Sequence, residues 1–485
     1  MPEYADGLSR SSAEEAGIDP RAVLDFVDQV FAHDLDLHSI MLYRHGDVVA
    51  EGWSWPYAQH RPHVMHSLTK SVTACGVGRA IDEGYFSLDD RVVSFFDSEL
   101  PESVDDNLAA LTVRNLLTMQ TGHAESVSGS VFRQVKTSWV KEFFRIPIVN
   151  PPGGQFLYSS ASSFMLSAIV SRTTGQSTRD FLESRMFQPL GIRGLQWGAS
   201  PGGISSGGNG LTWRTADSLK LGILHLNSGR WHDERILSDK WVAEATRQHV
   251  TDGGYGYGYQ WWVNEKAGAY YAEGAFGQFA IVFPQHDAVL AITAGVALGT
   301  QLEQLIFQYF PAAFGAPASP TDRESARQLR DRLANLRLLP VARFTTSPMA
   351  SQITGQCFRM ESNDDGVDEV CLTVSEENLD FRLTDHRGTH HVKCGLRDWI
   401  ESTTSITGAK LHHQYQPDAM RVVAHARWLD DQTLEMVWQF VETAWVDHVI
   451  CRFFEDRISV DRRTNANYAS LVAPTLRGGM KKSPA

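Results

Sequence analysis

The chain has 485 residues, 42% of them hydrophobic and 21% charged, with a formal net charge of −13. That length exceeds what one ordinary core fills, so a globular protein of two domains is expected. The acidic balance argues against nucleic acid and anionic membrane surfaces as partners, and no stretch reaches the roughly 20 apolar residues a membrane helix needs. The N-terminal segment carries Glu3, Asp6, Glu14, Glu15 and Asp19 without an apolar run, which predicts no signal peptide. Cys75, Cys357, Cys371, Cys394 and Cys451 are odd in number and lack CxxC spacing. They predict a reduced, cytoplasmic protein with no metal site and no cofactor.

In chain order, Ala22, Val23, Phe26, Val27 and Phe31 recur at helical spacing and predict a helix over 21–34. Ile40–Tyr43 and Val48–Ala50 flank Arg44-His45-Gly46-Asp47, the signature of a hairpin. A helix of small residues follows Ser67 and stops at Gly84. Further helices are expected at 111–123 (stopped by Gly122), 161–173, 178–187 and 215–228. From Gly258 onward the pattern turns to strands, at Gln260–Val263, Tyr270–Ala272, Phe279–Phe283 and Val289–Thr293. Strands from both ends of the segment with helices between them predict an α/β (α+β) domain, an antiparallel sheet flanked by helices, over 1–312.

Prolines 311, 317, 320, 340 and 348 bracket a charged helix at 321–335, and 313–348 reads as a linker. Beyond it, alternating runs at Cys371–Val374, Leu379–Leu383, Leu411–Tyr415, Met420–Ala426, Leu434–Phe440 and Val446–Phe454 predict an all-β barrel or sandwich, with the barrel favoured, over 349–475. Trp399, Trp428, Trp438 and Trp445 are expected in its core. Adjacent histidines on a strand point to opposite faces, so His390-His391 and His412-His413 do not each chelate one metal. Residues 476–485 read as a disordered tail.

Three short motifs carry chemistry. Ser67-Leu-Thr-Lys70 puts a hydroxyl and an amine on one helical face, the form of a Ser-Lys nucleophile, provided the amine loses its proton easily. The pattern alone is weak, since Ser138-Trp-Val-Lys141 also matches and Ser67 could simply cap the helix. Tyr158-Ser-Ser160, after Pro151-Pro-Gly-Gly154, offers a phenol as acid or base and a second hydroxyl near Lys70 or the substrate. Tyr468-Ala-Ser470 matches that pattern too. Ala272-Glu-Gly274, with Gly277-Gln278, offers a strand that something approaches closely, either a bulge or an edge presenting the N–H of Ala275 beside that of Ser67 as an oxyanion hole.

Together the three motifs resemble the penicillin-recognising serine hydrolases, nearest to the class C β-lactamase branch with its esterase, D-amino-acid peptidase and 6-aminohexanoate-dimer hydrolase relatives. Leu111–Gly122, Pro152-Gly153 and Gly207–Leu211 resemble that branch as well. The resemblance covers about residues 10–312 and implies a β-lactamase/transpeptidase-like fold with a helical subdomain. It implies Ser67 as the acylated nucleophile, Lys70 and Tyr158 as general base and acid, and the Ser67 and Ala275 amides as oxyanion hole. Ser160, Glu273, Gly274 and Gln278 would border the substrate, with Gln278 either bonding it or fixing the strand.

Two departures bear on substrate. Where β-lactamases usually carry Lys-Thr-Gly, Ala272 removes the cation and Glu273 adds an anion; Ser160 stands where they usually have Asn. An ester or amide small molecule with a neutral or cationic acyl end is therefore expected. An acyltransferase using the same acyl-enzyme, or a β-lactamase or D-alanyl carboxypeptidase, is the alternative. The C-terminal domain resembles the lipocalin-like barrels appended to such hydrolases.

Overall fold

A computed structural model, describing residues 6–297, 300–315, 322–406, 408 and 410–481, divides the chain into two units. The first runs to Leu336; the second begins at Arg337 and also takes in Trp55–Tyr57 and the short stretch after Ala294.

The first unit is built on a nine-stranded sheet. Its strands are β1 (Ser9–Arg10), β2 (Leu37–Arg44), β3 (Asp47–Trp53), β4 (Val250–Asp252), β5 (Tyr255–Tyr257), β6 (Trp262–Asn264), β7 (Ala269–Gly274), β8 (Gln278–Phe283) and β9 (Ala288–Ala294). Their spatial order is β1-β3-β2-β9-β8-β7-β6-β5-β4, antiparallel throughout except for the β1–β3 pair. The expected hairpin forms with Arg44 opposite Asp47; His45 and Gly46 take φ of 52° and 100°, the double left-handed conformation of a tight two-residue turn. Every residue of β9 is buried, as befits a strand covered on both faces.

Helix α1 (Pro20–Ala32) opens with Pro20 in its first turn and the Asp19 carboxylate accepting from the Arg21 amide. The long excursion between β3 and β4 carries α2 (Thr69–Asp82), α3 (Ser160–Thr174) and α4 (Thr215–Leu226). Helix α4 lies on β9, β8 and β2, and α2 packs on α3. Small residues let α2 approach its other neighbours closely. A Cβ on Gly76 would sit 2.9 Å from Thr178, and one on Gly78 would sit 2.3 Å from the Trp241 indole.

Several expectations are corrected. The helix expected over 111–123 shrinks to Val113–Leu117, opened by a Thr112/Asn115 capping box. The chain then turns, and Gly122 (φ 83°) passes so near Asn150 that a Cβ would lie 2.1 Å from its carbonyl oxygen. Short strands at β4 and β5 were too brief to register as alternation. The charged helix assigned to the linker, α6 (Asp322–Ala334), belongs to the first unit together with α5 (Thr300–Ala313). Leu329 and Leu333 of α6 are buried, and a Cβ on Gly52 of β3 would meet the Leu333 carbonyl oxygen at 2.9 Å.

The second unit is a closed barrel. Its strands are β10 (Gln356–Met360), β11 (Val367–Val374), β12 (Asn378–Asp385), β13 (Gly388–Gly395), β14 (Ile400–Thr404), β15 (Met420–Trp428), β16 (Thr433–Phe440), β17 (Val446–Phe454), β18 (Arg457–Thr464) and β19 (Leu476–Met480). The order is β13-β12-β11-β10-β19-β18-β17-β16-β15-β14, closed where Gly395 of β13 pairs with His425 of β15. Trp428, Trp438 and Trp445 are buried, while Trp399 is half-exposed and donates to the Pro340 carbonyl at 2.8 Å.

His390 turns inward onto Asp385 at 2.9 Å and His391 outward to Asp380, the opposed faces that strand geometry requires. Leu411–Tyr415 is a turn, not a strand, with His413 and Gln414 at φ of 50° and 59°. There the buried His412 hydrogen-bonds the buried Asp447 at 2.8 Å, and Arg462 reaches the same carboxylate at 2.7 Å.

Two further expectations fail here. The tail assigned from 476 onward begins with β19, which pairs with β10 and β18; residues 482–485 lie outside the described residues. The cysteines are not all reduced, because Cys357 and Cys371 form a disulfide.

The Gly78 contact gives a test. Gly78→Ala forces α2 away from Trp241 and is expected to destabilise the first unit by about 1–3 kcal/mol, read as a lowered midpoint in denaturant unfolding.

Candidate active site

The site starts from a strained residue. His66 takes φ of 48°, and from it a single 3₁₀ turn (His66–Leu68) leads into α2. Its imidazole is buried with the Phe276 ring edge-on at 5.1 Å, and its carbonyl accepts from the Thr69 hydroxyl at 2.6 Å. The turn projects Ser67 from the helix start, half-buried, with Lys70 one turn on.

Lys70 is 1% exposed and its Nζ has three oxygen neighbours: Ser67 Oγ at 3.0 Å, Ser160 Oγ at 3.1 Å and the Gly208 carbonyl at 2.7 Å. Among the described residues no carboxylate pairs with it. Burial therefore lowers its pKa to about 7, helped by the positive charge of Arg133. Near pH 7 a large share of Lys70 is then the neutral amine. It donates to the Gly208 carbonyl and to Ser160, which leaves its lone pair for the Ser67 O–H.

Ser160 and Tyr158 are placed by the loop before α3. The Ser160 amide donates to the Val127 carbonyl at 3.0 Å, and the Ser126 hydroxyl donates to the Tyr158 carbonyl. Gln120 holds the glycine pair upstream by donating to the Gly153 and Gly154 carbonyls at 3.0 and 2.7 Å. Tyr158 is half-buried, stacked on Trp262 at 5.5 Å and edge-on to Tyr257, with Lys70 Nζ 4.8 Å from its ring centroid.

The Gly207-Gly208 pair explains itself here. A Cβ on Gly208 would lie 2.9 Å from the Ser160 Cβ, and one on Gly207 (φ 66°) would lie 2.4 Å from the Ser163 carbonyl oxygen.

Strand β7 completes the site. Its last residue, Gly274, runs so close to the residues before Ser67 that a Cβ would sit 2.0 Å from the Met65 carbonyl oxygen. The turn then passes through Ala275, Phe276 (φ 68°) and Gly277 (φ 94°). Gln278 is fully buried and spans the turn, donating to the Ala275 and Ala294 carbonyls at 3.2 and 2.9 Å. These bonds tie the turn to the end of β9.

Glu273 departs from its expected charge. It is half-buried on β7, and burial, reinforced by Glu303, pushes its pKa up to about 8. Among the described residues no cation pairs with it, and Glu303 itself accepts from the Tyr271 hydroxyl at 2.7 Å. Glu273 therefore keeps its proton more firmly than an ordinary carboxyl, which reduces the negative charge expected at this position.

Sequence reasoning therefore brought Ser67, Lys70, Tyr158, Ser160 and Gly274 to one place. It missed the Gly208 carbonyl, whose signal was the glycine-rich run, and Arg133, whose short helix (Gly129–Gln134) is anchored by Phe132 stacking on Trp139 at 5.2 Å.

With this geometry, comparison with known proteins is informative. Residues 27–299 match the protein family described as Beta-lactamase, more than half of the chain. The protein belongs to the β-lactamase family, a serine hydrolase family. A 6-aminohexanoate-dimer hydrolase of Paenarthrobacter ureafaciens is 25% identical over 279 residues, 52% of this chain and 71% of that protein. A putative D-alanyl-D-alanine carboxypeptidase of Salmonella schwarzengrund is 24% identical over 188 residues, which is 30% of this chain and 43% of the carboxypeptidase. Among solved structures, EstCE1, described as a hydrolase with promiscuous acyltransferase activity, superposes with a TM-score of 0.52 at 18% identity, covering 62% of this chain and all of that one. That likeness is one of fold.

Because Arg133 helps hold the Lys70 amine deprotonated, Arg133→Ala is expected to move the acidic limb of the pH–rate profile for p-nitrophenyl acetate upward from near 7. An unmoved limb would show that Arg133 exerts no field on Lys70.

Proposed function

We propose that the protein cleaves a small-molecule ester or amide through an acyl-enzyme on Ser67. The observation that carries this reading is the buried, uncompensated Lys70 amine 3.0 Å from the Ser67 hydroxyl, poised near neutrality. Lys70 takes the Ser67 proton as Oγ attacks the carbonyl carbon. The tetrahedral oxyanion is held by the Ser67 and Ala275 amides, which the close approach of β7 supports. Tyr158, beside Lys70, relays the proton to the departing alcohol or amine. Water, activated through the same pair, then releases the acid and restores Ser67. If an alcohol or amine acceptor replaces water, the same acyl-enzyme makes the protein an acyltransferase.

Two features shape the substrate class. Ala272 supplies no cation to the substrate end of the cleft, and Glu273 is neutral at pH 7 but becomes a carboxylate as pH rises through about 8. A neutral acyl group suits the site at neutral pH, and a cationic one is favoured above that range.

Ser67→Ala is expected to lower ester hydrolysis by roughly 10⁴-fold or more with the fold intact, as loss of a covalent nucleophile does. Undiminished turnover by Ser67→Ala would place the nucleophile elsewhere. The charge argument has its own readout. The kcat/KM ratio for an amine-bearing against a neutral p-nitrophenyl ester should climb between pH 7 and 9 in the wild type and stay flat in Glu273→Gln.

A further inference from the structure

The outer face of the barrel carries a cluster that the hydrolase chemistry does not use. Cys357 on β10 stands directly opposite Cys371 on β11, and Arg382 on β12 continues the same row. Phe358, Val370 and Leu372, the alternate residues, are buried in the barrel interior, so this row and Glu369 face outward, Cys357 and Glu369 half-exposed and Cys371 buried beneath its neighbours. Glu369 precedes Cys371 by two residues on the same face, and its carboxylate lies 3.4 Å from the Cys371 sulfur. On the other flank the Lys481 amide donates to the Cys357 carbonyl at 2.8 Å, and the Lys481 ammonium pairs with Glu369. The two sulfurs and one Glu369 oxygen all lie within 4.8 Å of one another.

We propose that this cluster is a redox-gated metal site: with the Cys357–Cys371 disulfide opened by a dithiol reductant, both thiolates and Glu369 bind one zinc-class divalent ion. Opening the bond takes two electrons and two protons from the dithiol, which closes its own disulfide and leaves two protein thiols. The incoming ion displaces both thiol protons and forms two metal–sulfur bonds and one metal–oxygen bond, with water completing a tetrahedron. Two sulfur donors select a zinc-class ion over magnesium or calcium. Arg382 and Lys481 fit both steps. Cations beside the pair favour the thiolates, and they balance the negative charge left by three anionic ligands around a divalent ion. The disulfide excludes the ion, so the site is gated by oxidation rather than by affinity alone.

The remaining cysteines, Cys75, Cys394 and Cys451, are buried and unpaired, so a signal from the cluster can be assigned. The full-length protein, reduced with a phosphine under argon and freed of reductant, would be titrated with Co²⁺ as the probe. The proposal predicts thiolate–cobalt absorption saturating at one ion per chain, displaced by Zn²⁺, and no such absorption from the oxidised protein. Glu369→Gln, a substitution at a half-exposed surface position, should weaken binding, and Cys371→Ser should abolish the band. Mass spectrometry needs no variant: Zn²⁺ should shield Cys357 and Cys371 of the reduced protein from iodoacetamide. No absorption in the reduced wild type, a band that survives Cys371→Ser, or alkylation of both cysteines at the same rate with and without Zn²⁺ would overturn it.

Discussion

The interaction on which the rest of the site depends is the burial of one amine without a counterion. Lys70 lies in the interior with hydroxyl and carbonyl oxygens and the Tyr158 ring around Nζ, and an ammonium there lacks the solvation that water would supply. Desolvation brings the neutral amine within reach near pH 7, and a neutral amine is a base. Each neighbouring element serves that condition. Glycines at 207 and 208 let a backbone carbonyl reach Nζ, and the small residues of α2 let the helix sink between its neighbours. A carboxylate in hydrogen-bond reach would stabilise the ammonium and remove the base.

The same principle operates with opposite sign at Glu273. There a carboxyl group is desolvated beside a second acid, and its proton is retained. At pH 7 the site thus holds a lysine near its titration midpoint and a glutamate that keeps its proton more firmly than usual, so its electrostatics are milder than the formal residues suggest. In the barrel the balance differs. Asp447 is equally buried but stays ionised, its pKa lowered to about 2, because Arg462 and His412 compensate its burial. Partners, not depth, decide the ionisation state.

How much of this was legible in the sequence follows from the range over which each signal acts. Ser67 and Lys70 are one helical turn apart, and Gly84 and the His45-Gly46 turn are local conformational signals, so they could be read directly. The three motifs came together through their joint resemblance to a family. What stayed hidden depends on contacts across the fold. The Gly208 carbonyl, the field of Arg133 and the retained proton of Glu273 require knowing which groups share a buried space. Cys357 and Cys371 show the same limit, since fourteen residues separate them in sequence while sheet register places them side by side. Counting CxxC spacings cannot detect a pair made by neighbouring strands. The charged helix α6 misled for a related reason: flanking prolines resemble a linker, and only its buried leucines tie it to the sheet.

The central claim is that Lys70 acts as the base because it loses its proton near pH 7. Its most direct test is an NMR titration of protein labelled with ¹³C at the lysine ε-carbons, the Lys70 signal being assigned by its loss in Lys70→Arg. The account predicts that this signal titrates near 7, well below the ordinary lysine value of about 10.4. A Lys70 that stays protonated up to the ordinary lysine range would contradict it, and the proton of Ser67 would need another acceptor.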